Sequence, residues 1–421
     1  MKLEPVPLFL SRRDVVGFIV IVTLILIASL GREYANFAQL TRFDDAEVAA
    51  TVVSQYTKTK GDRHYEVLRL RMKNGASFYM TGPTTLRDLQ GYEIRALIRT
   101  EGLTFLDYLR GFFARGYIEA TAPGRTARYR LARRIEAMHG DRRIGAVFAA
   151  LFATVPVGAE LRERLGIFGV SHLLAISGFH VGLLSVSLFW LLAPFYRFFQ
   201  SRCFPWRNIR RDLFMVVAVL MFGYVALLDA PPSMLRAYAM LLIGFVLHDR
   251  GVKLVSVASL AVAAALLAAI WPRLMFSIGF WLSVSGVFFV FSFLRLFRFR
   301  HKAARFFWLH WWVYAAMLPI GLRLFGLFSL WHVLSPLWTM AFVVFYPIEI
   351  VLHLAGAGDA LDGLLRLWLA IPCTPSSVHM AGWTLVPLGV LGMLQLKVQP
   401  VKWLFLAYAA AVFVGAVYQV A

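Results

Sequence analysis

Polar and apolar positions alternate on different length scales along this chain, and each scale predicts a different kind of element. Val15 to Leu30 is an apolar run of 16 residues behind Arg12 and Arg13. The run exceeds the roughly 7–15 residues of a signal-peptide core, and Leu30-Gly31-Arg32 is a poor cleavage site. Residues 1–32 therefore read as a cytoplasmic N-terminus and a retained first transmembrane anchor. Over residues 40–102 the period drops to two. Leu68, Leu70 and Met72 alternate with Arg69, Arg71 and Lys73, Asn74-Gly75 is a hairpin turn, and Ala76 to Met80 resumes as a strand. Tyr92, Ile94, Ala96 and Ile98 alternate with Glu93, Arg95 and Arg99, while Val48 to Tyr56 forms an earlier strand with Gly61-Asp62 in the following turn. The pattern predicts a small β-domain with one basic face.

Residues 103–143 are amphipathic and Arg-rich, which predicts basic interfacial helices rather than spans. Long apolar stretches return at 144–158, 173–194, 213–229, 233–248, 252–271, 275–294, 306–322, 331–353, 380–396 and 402–420. At about 20 residues per span these predict a bundle of spanning or near-spanning helices over 144–421, the first short enough to be re-entrant. Ala360 to Ile371 is expected to be an amphipathic helix in the interface.

Composition identifies the solvent. The chain is 60% hydrophobic and 16% charged with mean hydropathy +0.68, against roughly 45–50% and about 25% in soluble domains, which excludes a soluble enzyme. The expected fold class is a polytopic α-helical membrane protein with a small extracytoplasmic β-domain near the N-terminus. Its 43 Lys and Arg against 23 Asp and Glu leave a charge of +20, a surplus suited to anionic lipid, nucleic acid or both. Two basic loops, Arg197 to Arg211 and Arg295 to Arg305, place those ends of the bundle in the cytoplasm and residues 31–143 outside. The external arginines Arg125, Arg128, Arg130, Arg133, Arg134, Arg142 and Arg143 run against that rule, and either bind lipid phosphates or meet an anionic substrate on its way in. Cys203 and Cys373 form no C-x-x-C pattern and predict neither redox chemistry nor zinc binding.

Candidate chemistry concentrates in two segments. In Ser171 to Gly182, His172 and His180 lie eight residues apart, about 80° around a helix, with Ser177 three before His180. Such a polar face inside a membrane either bonds neighbouring helices or lines a cavity. Ser177 beside Gly178 with a nearby His also raises an intramembrane serine protease. Ala175 stands where that motif needs Gly, and no carboxylate on the helix orients either His, so this reading is remote. In Asp229 to Ala237 two prolines separate helices and leave Arg236 near a helix start, where the dipole disfavours a cation and an anion is needed to compensate. A lipid phosphate and a phosphate of a transported polymer both answer that need. No phosphate loop, no H-E-x-x-H, no His-x-His and no carboxylate cluster with metal spacing occurs, so neither nuclease nor ATPase activity is expected.

Ser171 to Gly182 resembles the signature of the ComEC-type competence family, a His-Leu-Leu-Ala-Ile-Ser-Gly-x-His-Val-Gly run. Pro232 to Ala237 is similar to the family's second block, and Phe276 to Ser283 to its third, although Trp281 stands where Gln is usual. Order and spacing match over about residues 140–345, and residues 40–102 look like the family's OB-like extracytoplasmic domain (OB-fold). The resemblance implies a bacterial inner-membrane channel through which single-stranded transforming DNA reaches the cytoplasm in natural transformation, in a short form without the C-terminal metallo-β-lactamase-like domain. It implies no cofactor and no metal. Its partners would be single-stranded DNA, membrane lipids, a periplasmic or surface DNA receptor, a separate nuclease, and a separate cytoplasmic motor or DNA-binding protein. The residues then expected along the DNA path are His172, Ser177, Gly178, His180, Ser233, Arg236, Trp281 and Ser283. Those expected on a DNA-binding surface are Arg69, Arg71, Arg95, Arg99, Arg125, Arg128 and Arg133. A secondary transporter of a small anionic or lipid-linked solute is the alternative, since it too would use intramembrane His and Arg.

Overall fold

The computed structural model describes residues 8–9, 11–174, 178–249, 256–373 and 376–420. Helix α1 spans Arg12–Leu40 and begins at a capping box in which Ser11 Oγ accepts from the Asp14 amide and Asp14 Oδ2 accepts from the Ser11 amide. Its 29 residues are about 43 Å long, more than a bilayer core needs. The sequence-based boundary at residue 32 is therefore too early. Leu30, Phe37 and Leu40 recur on one helix face and pack against the β-domain, while Glu33 is buried and accepts a hydrogen bond from Arg273.

The β-domain comprises β1 (Asp45–Lys60), β2 (Arg63–Met72), β3 (Ser77–Gly82), β4 (Tyr92–Arg99), β5 (Phe112–Phe113) and β6 (Gly116–Arg125), in sheet order β5-β3-β2-β1-β4-β6. The alternation works as expected, with Val52, Leu68, Leu70, Phe78, Ala96 and Ile98 inside. Gly75 closes the β2–β3 hairpin at φ 84°, a conformation that costs glycine little. Residues 103–143 depart from the helical expectation. Only α2 (Phe105–Arg110) and α3 (Ala127–Glu136) are helices wholly within that stretch, and β5 and β6 complete the sheet between them. The two are consecutive stretches of chain, one parallel to β3 and the other antiparallel to β4, so the chain at Phe113–Gly116 links the sheet's two edge strands. Gly116 permits the close approach of β6 to β4, because a Cβ there would meet the Leu97 carbonyl oxygen at 2.1 Å.

Among the described residues thirteen further α-helices follow: α4 (Arg142–Ala153), α5 (Ala159–Ile167), α6 (Ser171–Leu174), α7 (Gly178–Cys203), α8 (Ile209–Leu227), α9 (Pro232–Asp249), α10 (Val257–Ile270), α11 (Ile278–Leu296), α12 (Lys302–Phe325), α13 (Ser335–Leu354), α14 (Asp362–Ala370), α15 (Leu385–Leu394) and α16 (Val401–Val420). A two-stranded ribbon pairs β7 (Leu327–Phe328) with β8 (Ser376–Ser377). Among the described residues five segments are long and apolar enough to cross a membrane: Arg12–Leu40, Gly178–Cys203, Ile278–Leu296, Leu330–Leu354 and Val401–Val420. Helix α4 is too short to span and is buried through Phe148–Ala153. It packs at the centre of the largest apolar cluster, among side chains of α3, α7, α8, α9, α13 and α14. A second cluster joins α11, α12, α15 and α16. Trp190, Trp206, Val219, Phe222 and Trp403 point outward, as expected of helices whose solvent is lipid.

Candidate functional site

The sheet meets the helices at a cluster of four residues from distant parts of the chain. Arg71 of β2 donates from Nη1 to the Asp229 carbonyl at 3.2 Å, across the turn between α8 and α9. Arg128 of α3 is buried and donates from Nε to the Ala153 carbonyl at 2.8 Å and from Nη2 to the Thr154 carbonyl, so its charge sits against the negative end of the α4 dipole. Tyr129 lies under the Arg128 guanidinium at 5.3 Å and donates to the Val53 carbonyl at 2.7 Å. Burial lowers the pKa of Arg71, and the neighbouring charges of Arg128 and Arg69 lower it further. Burial lowers that of Arg128 as well.

These contacts bear on the expected DNA-binding surface. Arg128 is buried and Arg71 half-buried, and each guanidinium holds a backbone carbonyl of the helical part. The outward face of the sheet keeps Arg69, Arg95 and Arg99, and cross-strand pairing sets Glu93 opposite Thr51, Glu47 opposite Leu97 and Asp45 opposite Arg99 on that same face. Arg95 lies 3.9 Å from Glu47, and Arg99 is ion-paired with Glu101. The face is mixed rather than uniformly basic, because acidic β1 positions share its period with the arginines. Arg125 is engaged by Asp88 at 2.7 Å and by the Gln90 carbonyl at 3.0 Å, and Arg133 by Glu136 at 2.9 Å.

Arg236 differs from all of these. It stands in α9 just past the Asp229 to Pro232 turn, is 6% exposed, and among the described residues has no hydrogen bond or ion pair. Its neighbours Met234 and Ala237 are in the main apolar cluster. A buried guanidinium without a counter-charge is costly.

The two histidines of the signature do not share one helix among the described residues, since His172 is in α6 and His180 in α7. Both reach α13 instead. His172 Nε2 is 3.2 Å from Thr339 Oγ1, and the buried His180 ring stands edge-on to Phe342 and Tyr346 at 5.0 and 5.2 Å. Positions 339, 342 and 346 lie on one face of α13, so the signature packs this helix down. Gly178 and Gly182 have nothing within 4 Å of a built Cβ and leave open space along α7. Ser177 and the Ser233 side chain lie outside the described residues. Trp281 donates to the Met275 carbonyl at 2.8 Å and is half-exposed, and no described hydrogen bond or ring contact joins it or Ser283 to His172, His180 or Arg236.

One buried group escaped the sequence reading. His139, after α3, places Nδ1 2.8 Å from Asp362 Oδ1 of α14 and Nε2 3.1 Å from His353 Nε2 of α13. His353 Nδ1 donates to the Glu349 carbonyl at 2.8 Å and lies 3.3 Å from Glu349 Oε2. The His139 Nδ1 faces the Asp362 carboxylate and the His353 Nδ1 the Glu349 carbonyl, which leaves the two Nε2 atoms facing each other. His139 also stacks on Phe148 at 4.6 Å. The signal available in the sequence was Glu349, an acid four residues before a His inside an apolar run. Among the described residues no group of three or more His, Cys, Asp or Glu could hold a metal ion.

A part-basic β-domain carried on an apolar first helix and joined by arginines to a bundle of apolar helices defines a multi-pass membrane protein. The competence protein family model matches residues 154–421, most of the chain, and this protein belongs to that family, with its role in DNA uptake for competence. No curated protein and no solved structure matches the chain.

Proposed function

We propose that the protein is an inner-membrane channel that passes single-stranded transforming DNA to the cytoplasm, with the β-domain outside as an OB-like barrel. The observation that carries this reading is Arg236, a buried cation with no partner among the described residues, one turn beyond a junction where β2 reaches α9. A phosphodiester supplies the missing charge, and each nucleotide brings another. The strand order supports the barrel assignment: β1 to β3 form a meander, β4 returns beside β1, and one stretch of chain bridges β3 and β4. Deleting the gene and scoring transformation with marked DNA tests the reading: loss of transformants with normal surface capture supports it, and a wild-type frequency removes it.

Two further results are expected. Single-stranded oligonucleotide bound by the full-length protein in detergent should weaken with salt, log K falling by about 0.7 per log unit for each phosphate held. Because Glu47 and Glu101 occupy Arg95 and Arg99, the total slope should be shallower than about −2. No binding at low salt would leave the sheet as scaffold. The second result concerns orientation. Lys402 sits 4.9 Å over the Phe297 ring at one end of α11, while Arg273, beyond the other end, bonds Tyr108 and the Asn74 carbonyl of the β-domain. This supports cytoplasmic basic loops opposite an external barrel. An impermeant thiol reagent added to intact cells should label Cys373 and spare Cys203, which is exposed at the end of α7. Labelling of Cys203 would reverse the topology.

A further inference from the structure

Three described non-glycine residues adopt positive φ: Thr154 at 56°, Asp229 at 58° and Ala230 at 45°. In this region Cβ crowds the backbone, and such residues persist only where their surroundings hold them there. All three belong to the junction already described. Thr154 is the residue that ends α4, and its carbonyl, with that of Ala153, is held by Arg128. Its own hydroxyl is buried without a hydrogen-bond partner among the described residues, so the side chain contributes no polar contact that would explain a Thr at this position. Asp229 and Ala230 form the turn after α8, closed by the Ala230 amide on the Val225 carbonyl at 2.9 Å, and the Asp229 carbonyl is held by Arg71. Pro231 and Pro232 follow at once and lead into α9, with Arg236 in its second turn. Glycine would adopt these conformations freely, yet none of the three positions has it.

We infer that Arg71 and Arg128 are positioning residues, clamping the strained turns that end α4 and α8 and so fixing where α9 begins and where Arg236 sits. One clamp comes from the barrel and the other from α3, which ties the β-domain mechanically to the helix that carries the unpartnered cation. The inference rests on the DNA-path reading for the role of Arg236. The clamp itself depends only on the local geometry.

The distinguishing test is rescue by glycine in the full-length protein. Arg71→Ala is expected to lower transformation about tenfold, the size of the strain at one left-handed residue, and adding Ala230→Gly should restore most of it because glycine holds the turn unaided. Arg128→Ala with Thr154→Gly should behave alike. As single changes, Thr154→Gly and Ala230→Gly should raise the melting temperature of the purified protein, a readout that does not depend on folding of the arginine variants. If the arginine variants accumulate normally but stay defective beside glycine, the arginines act by touching DNA and the positioning role is wrong. It is also wrong if Arg71→Ala transforms at the wild-type frequency or if the glycine variants melt lower. Wild-type transformation by Arg236→Met would remove the DNA-path reading alone, since glycine rescue of melting temperature would still report the clamp.

Discussion

Replacing Arg236 with Met is expected to lower transformation by about 10- to 100-fold while the protein accumulates normally and melts at a higher temperature. The two effects have opposite signs for one physical reason. A charge-assisted hydrogen bond to phosphate contributes about 1.5–3 kcal/mol, which sets the loss in DNA entry. In the resting protein the same guanidinium is 6% exposed with no counter-charge among the described residues, and exchanging a buried ion for an apolar chain of similar length is neutral or stabilising by about 1–4 kcal/mol. Transformation frequency with marked DNA, membrane protein level and thermal unfolding in detergent are the three measurements. A variant that melts lower and disappears from the membrane would show that Arg236 is packing, and normal transformation would show that DNA does not pass it.

The largest loss of stability is expected from His139→Ala. His139 connects three elements, bonding Asp362 of α14 and His353 of α13 and stacking on Phe148 of α4. Its removal leaves the Asp362 carboxylate and the His353 Nε2 buried without their partner, a cost of about 3–5 kcal/mol. His139→Asn should recover part of the loss, because its amide can still donate to Asp362. Denaturant unfolding in detergent and protein level in the membrane measure both variants. Equal stability for Ala and wild type would mean that the cluster is filled by water and contributes nothing to holding α13 and α14 against α4.

The β-sheet was largely legible because its signal is local. Period-two alternation in β2 and β4, with Asn74-Gly75 between β2 and β3, needs no distant contact to be recognised. The last strand was not, because β6 reads Gly-Tyr-Ile-Glu-Ala-Thr in an Arg-rich context, and only its pairing with β4 makes it a strand. The helical bundle was legible for the same reason as the sheet, each apolar run being a property of its own segment. For the site residues the result is divided. Arg236 could be singled out from the prolines before it, whereas Arg71 and Arg128 were read as facing a polymer and in fact hold carbonyls of the Asp229 and Thr154 turns. Sequence gives an arginine's position and not what its guanidinium meets.

The sequence by itself determined the solvent, most of the element types and the family. Hydropathy, period and the Ser171 to Gly182 motif are carried by neighbouring residues, and the free energy of placing an apolar run in lipid is a sum over that run. Only the tertiary structure decided which charges are spent inside the protein and which remain available. His139 and Asp362 are separated by more than two hundred residues, as are Glu33 and Arg273, and Arg71 lies more than a hundred and fifty from Asp229. Whether a buried cation is paired depends on which distant group the fold brings within about 3 Å of it, because a hydrogen bond acts only at that range. That is why the pairing of Arg71 and the solitude of Arg236 appear only once β2, α3 and the head of α9 are in place.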